Sequence, residues 1–194
     1  MKTYRAERRT EWDKAEAQTL TECAWSPNAA PDARVQVSYD EDGIIVRLTS
    51  DAAPTRAVNT EPNSAVWEDS CMEFFFSMNG KSYVNLEANS LGALRASFGE
   101  GRKDRAHLLH MNVPMPTVSA QVFSDSWSVE FAVPFSLFDA LWGKRPAAGE
   151  SLFVNFYSCG DETPKPHYAA WNPVLTETPD FHRPDFFGEL ILNG

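Results

Sequence analysis

Five polar side chains recur at odd positions in the stretch CMEFFFSMNGKSYVNLEANSLGALRASF, which runs from Cys71 to Phe98. They are Glu73, Asn85, Glu87, Arg95 and Ser97. The even positions carry Met72, Phe74, Phe76, Val84, Leu86, Ala88, Leu94, Ala96 and Phe98. Period-two alternation of this kind marks strands with one face on a core and the other polar. Two acids, an amide, a guanidinium and a hydroxyl on a rigid sheet hold donors and acceptors at fixed spacing, an arrangement suited to a ligand dense in hydroxyl groups. Trp67, six residues ahead of Glu73, and Trp171, in HYAAWNPV, add flat rings that match the apolar C–H face of a sugar. A carboxyl pair can also do acid–base work. Glycoside hydrolysis uses two acids about 5–9.5 Å apart, and Glu73 and Glu87 are the pair to weigh for such an enzyme. Arg95 beside Glu87 is expected to keep that acid ionised and unfit as a general acid. The plainer alternative is a solvated sheet face whose Glu–Arg pair contributes under about 1 kcal/mol.

These side chains converge only in the right register. A two-residue Asn79-Gly80 turn would set Glu73 beside Leu86 and mix the two faces. A three-residue loop, Met78-Asn79-Gly80, keeps odd residues with odd and predicts Glu73 opposite Asn85 and Cys71 opposite Glu87. The loop Ser90-Leu91-Gly92 likewise predicts Glu87 opposite Arg95 and Asn85 opposite Ser97. Alternation continues over Arg34 to Tyr39, Ile44 to Leu48, Thr117 to Phe123, Trp127 to Val133, Leu152 to Ser158 and Phe187 to Leu192. One short helix is expected after Pro134, with Phe135, Leu137, Phe138, Leu141 and Trp142 on one side. The pattern predicts an all-β chain, an antiparallel β-sandwich forming a single domain over 1–194.

Composition narrows the partners. A formal net charge of −10 repels phosphate backbones and anionic lipid, so neither nucleic acid nor a membrane is an expected partner. The N-terminal MKTYRAERRTEWDKAE lacks an apolar stretch, so no signal peptide is expected; this favours a cytoplasmic setting unless a leader has been removed. Cys23, Cys71 and Cys159 are too few for a disulfide scaffold; the odd number favours free thiols, and whether Cys71 and Cys159 bond is left open. Cys71 and Cys159 are expected to project close together. His107 and His110, near Met111 and Met115, read as loop residues rather than haem ligands.

The segments VWEDSCMEFFF, SYVNLEANSLGALRASF, WSVEFAVPFSLF, NFYSCGDETPKPHYAAWNP and PDFHRPDFFGELIL resemble the family-9 carbohydrate-binding modules, in a near-standalone variant. The resemblance runs from about Trp12 to the C-terminus. It implies a jelly-roll-like, DOMON-type sandwich that binds a saccharide between two tryptophans as an accessory to glycan breakdown, without catalysis of its own. Carried over by position, Trp67 and Trp171 are the two walls and Glu73 the sugar-binding acid. Glu87 and Arg95 fall where the family has polar contacts, an acid at 87 replacing an amide. His167 and Tyr168 stand where the family has an asparagine ahead of its second tryptophan. The family's structural calcium is also implied, although no dense Asp/Asn loop offers it ligands; no other cofactor is expected.

Overall fold

The computed structural model describes residues 1–22, 25–54 and 56–194; Cys23 lies outside the described residues. The strands are β1 (Thr3–Arg8), β2 (Gln18–Thr19), β3 (Ala33–Tyr39), β4 (Gly43–Ser50), β5 (Cys71–Ser77), β6 (Tyr83–Asn89), β7 (Leu94–Gly99), β8 (Ala106–His107), β9 (Thr117–Val122), β10 (Trp127–Pro134), β11 (Ser151–Cys159), β12 (Tyr168–Ala170) and β13 (Gly188–Leu192). The expected helix is α1 (Phe135–Trp142), with Pro134 capping its start. No helix among the described residues is long and apolar enough to cross a membrane.

The strands form one curled sheet in the order β8-β7-β6-β5-β11-β13-β1-β3-β4-β10-β9, with β12 on β11 and β2 on β3. Curling brings Phe74, Phe76, Leu86 and Phe156 from one half against Val37, Val46, Leu48 and Phe131 from the other, in one buried core. Each such side chain contributes about 1.5–3 kcal/mol through burial. The sheet is mixed, which corrects the antiparallel expectation: β1 runs parallel to both β13, with Tyr4 opposite Leu190, and β3, with Glu7 opposite Ser38.

The register of the central hairpin also differs from expectation. Glu73 faces Glu87, Phe75 faces Asn85 and Cys71 faces Asn89. The parity holds, but the β5–β6 loop has five residues, because it supplies its own hydrogen bonds. Ser77 Oγ accepts the Gly80 N–H (2.9 Å) and donates to the Ser82 carbonyl (2.6 Å). Asn79 Oδ1 accepts the N–H groups of Lys81 (2.9 Å) and Ser82 (3.0 Å). Such local bonds offer the chain an alternative to two further rungs of ladder. Gly80, at φ +69°, takes the left-handed turn position without a Cβ penalty. The second hairpin has the expected pairing, Glu87 opposite Arg95 and Asn85 opposite Ser97.

The face bearing the acids is not open to water. Residues 173–187 fold over it, and Phe75, Tyr83, Tyr157, Val174 and Phe187 form a second, smaller core between this cover and the sheet. Every residue of β5 and β6 is therefore buried.

Candidate functional site

Beside the second core the cover leaves a cavity of about 400 Å³, floored by Glu73, Asn85, Glu87, Arg95 and Ser97. This is within the usual range for small-molecule pockets. Strands β5, β6 and β7 thus bring the five predicted floor residues together.

The floor is wired by Arg105, which also lines the cavity and sits in a charged loop with no periodic signal. Its Nε donates to Asn85 Oδ1 (2.9 Å), Nη1 to the carbonyls of Gly99 (3.1 Å) and Gly101 (3.0 Å), and Nη2 to those of Tyr83 (2.8 Å) and Ser97 (3.3 Å). All five N–H donors are engaged, and the guanidinium carbon lies 3.8 Å from the centre of the Tyr83 ring. With its carbonyl taken, Asn85 turns its amide to Glu87, Nδ2 donating to Oε1 at 2.7 Å. Arg105 orders the floor and has no donor left for a ligand.

Glu73 has the opposite character. Cys159 Sγ donates to its Oε1 (3.0 Å), while Oε2 is buried and without a hydrogen-bond partner. Burial, and then the facing Glu87, push its pKa well above the ordinary carboxylate value. Burial also raises Glu87, against the pull of Arg95 and the Asn85 amide. Arg95 pulls the Glu87 pKa down as expected, but burial outweighs that pull. Arg95 is across the ladder from Glu87, but its Nη1 donates to the Asn63 carbonyl (2.9 Å) and its guanidinium carbon lies 4.8 Å from the centre of the Trp67 ring.

Trp67 is in a one-turn 3-10 segment, Val66–Glu68, and lines the cavity. The turn is anchored by Asp69, whose carboxylate is fully buried. It accepts hydrogen bonds from Arg56, from the N–H groups of Val58 (3.2 Å) and Asn59 (2.9 Å), and from Asn89 Nδ2 (2.7 Å). Burial alone would raise the Asp69 pKa; these bonds outweigh it and hold the pKa below its ordinary value. Tyr168 also lines the cavity. It shares a side-chain hydrogen bond with Asp161, and its pKa rises to about 12 through burial and that acid.

Two expected site residues lie elsewhere. Along β12 and just beyond, alternate residues face opposite ways: Tyr168 and Ala170 toward the cavity side, Ala169 and Trp171 into the main core. Trp171, three positions after Tyr168, therefore falls on the wrong face for a wall. It is wholly buried, edge-on to Phe156 at 5.4 Å, and its Nε1 donates to Gln18 Oε1 (2.6 Å). The indole lies on the backbone of Gly188, where an added Cβ would meet its Cζ3 at 2.4 Å and the Lys2 carbonyl oxygen at 2.8 Å. Gly188→Ala is expected to destabilise by about 1–3 kcal/mol, the usual cost of overpacking; denaturant melts check this, and an unchanged midpoint would show that the indole can shift. His167 is also buried and off the cavity, with Nδ1 donating to the Lys165 carbonyl (3.0 Å) to hold the turn that starts at Gly160.

The sequence did not single out Trp25 and Phe181, which replace Trp171 as aromatic wall residues. Their ring centroids are 5.5 Å apart, and both line the cavity. His182 ties its own loop to β6 by hydrogen bonding. The Tyr83 hydroxyl gives its only proton to the Gly101 carbonyl (2.7 Å) and so accepts from His182 Nδ1 (2.9 Å). Burial first, and then nearby arginines, lower the His182 pKa to about 3. The ring is neutral, with Nε2 left as an acceptor.

Among the described residues, the cluster of acidic, thiol or imidazole groups close enough to share an ion is Cys71, Glu73 and Cys159. Calcium takes six to eight oxygen ligands, so two thiols and one carboxyl do not fit the calcium that the resemblance implied.

A family model described as carbohydrate-binding family 9 matches residues 6–192. Among solved structures, a "putative carbohydrate-binding protein" from Bacteroides uniformis is 25% identical, with 99% of each chain covered and a TM-score of 0.84. A carbohydrate binding module family 9 from Caldicellulosiruptor kristjanssonii, solved with glucose, is 14% identical, with a TM-score of 0.73 over 100% of this chain and 96% of that one. The same module solved with cellotriose gives 14% and 0.73 over 100% and 94%. A search of curated proteins found no match. The family model spans nearly the whole chain, and the chain belongs to carbohydrate-binding family 9.

Proposed function

We propose that the chain binds a saccharide in the cavity above Glu73, as an accessory to glycan breakdown rather than as a hydrolase. The observation that carries this reading is the partnerless, buried Glu73 Oε2 on the floor of an indole-lined cavity. A buried acceptor without a donor is costly, and a sugar hydroxyl supplies that donor. Trp67, Trp25, Phe181 and Tyr168 line the cavity and offer rings for the C–H faces of the sugar. Glu73 and Glu87 are direct neighbours on one floor, beneath a ligand rather than flanking a bond, which favours holding over cleaving. The sugar complexes of the Caldicellulosiruptor module, which has the same fold, support a saccharide as the class of ligand.

Isothermal titration against a panel of mono- and oligosaccharides, with product analysis on the same samples, tests this. Binding heat without new products is expected, and Trp67→Ala should weaken the affinity roughly 10–30-fold, as loss of an aromatic anchor does. Silence across the panel, or hydrolysis products, would overturn the reading.

A further inference from the structure

We propose that Cys71, Cys159 and Glu73 form a binding site for a thiophilic divalent cation, zinc being the ion it fits best, with one coordination position open to the cavity. Cys71 and Cys159 face each other across β5 and β11. Glu73 follows Cys71 by two residues, on the same face of β5. One donor atom from each of the three lies within 4.8 Å of the others, and all three side chains are buried. Both thiols are free. The carboxyl keeps one oxygen without a partner, so the cluster contains an unused ligand atom.

Two thiolates and a carboxylate suit zinc, with sulfur at about 2.3 Å and oxygen at about 2.0–2.2 Å, and they disfavour the oxygen-seeking calcium and magnesium ions. The ligands sit on central strands, which hold their spacing. Glu73 and Cys159 line the cavity, so water or a ligand oxygen can reach the fourth position. Binding needs no oxidant. Each thiol gives its proton to solvent and its S–H bond is replaced by a metal–sulfur bond; the two thiolates balance the divalent ion, and the carboxylate leaves the site with one net negative charge. The site shares Glu73 with the saccharide reading, but its readouts need no sugar.

The test uses the full chain, reduced and stripped with chelator, in wild-type and Cys23→Ala forms. Cobalt is the optical probe, and zinc is followed by equilibrium dialysis and X-ray absorption. The expected result is one equivalent of metal, a thiolate-to-cobalt charge-transfer band, and two sulfur neighbours at about 2.3 Å around zinc. The Cys23→Ala form should match the wild type. Cys71→Ala/Cys159→Ala should lose the band, and Glu73→Gln should weaken zinc binding by more than the roughly 10–100-fold typical of an outer-shell partner. A zinc shell without sulfur, or a band that persists in the double variant, would overturn the proposal. If the double variant does not fold, the sulfur count in the Cys23→Ala form decides alone.

Discussion

Glu73→Gln should be more stable than the wild type at pH 8 and should bind saccharide on the order of tenfold less tightly, the loss expected for one hydrogen bond. Both effects come from the same carboxyl. Burial and the facing Glu87 raise its folded-state pKa well above the ordinary 4.5. The folded protein therefore holds more protons than the unfolded chain between those two values, and wild-type stability falls as pH rises through that window. The slope is about 1.4 kcal/mol per pH unit. Glutamine does not titrate, keeps an acceptor for the Cys159 thiol and can donate to Glu87. The stability gap should accordingly open above pH 4.5 and level off once the raised value is passed. Denaturant melts from pH 4 to pH 9 and titration with the best saccharide of the panel measure the two effects. A variant no more stable than wild type at pH 8 would refute the assigned burial of the carboxyl. Unchanged affinity would remove Glu73 from the ligand.

Asp69→Ala should cost about 2–4 kcal/mol, because it removes an acceptor for four donors around a buried point and leaves Arg56 without its partner. Arg56 keeps contact with solvent, so the loss stays below that of a wholly enclosed ion pair. The pH dependence runs opposite to that of Glu73. The folded-state pKa of Asp69 lies below its ordinary 3.8, so its contribution is complete at neutral pH and is lost as pH falls through that lower value. The acid limb of the stability curve should thus be shallower in the variant. Saccharide affinity should also drop, because the freed carboxylate partners are what fix the turn that carries Trp67. Urea melts at pH 7 and pH 3 are the measurement; a loss under about 1 kcal/mol would mean that water replaces the missing oxygens freely.

Alternation made nine strands and the helix legible in the sequence, because each of those segments has one apolar face. Strand β1 was not legible. TYRAER buries only Tyr4 and Ala6, too few residues to reveal a period, and its parallel pairing depends on partners far along the chain. The hairpin shows the limit on register. Which side chains share a face follows from parity, but the number of rungs is set by side-chain hydrogen bonds of Ser77 and Asn79 that compete with the ladder. Five of the floor residues could be read because a rigid sheet carries them. Arg105 could not, because nothing in GEGRKDRAH marks one arginine of two as the one that turns inward. The odd spacing of Trp171 from Tyr168 turns its indole into the main core, against the place that a likeness to tryptophan-walled modules implies for it. Trp25 lies among prolines and polar residues, where no periodicity tells a wall from a loop.

The strand order carries a consequence for biosynthesis. β13 lies between β11 and β1, so it is the link through which the two halves of the sheet join, and among the described strands it comes last in chain order. Until it emerges, β1 has no neighbour on that side, and the edges of both β1 and β11 stay open to other chains. Pairing Tyr4 with Leu190 closes a loop of nearly the whole length, the kind of contact that slows folding most. A nascent chain must hold two half-sheets apart and soluble until β13 is available, and the acidic charge of the chain helps to prevent those exposed edges from meeting edges of neighbouring copies.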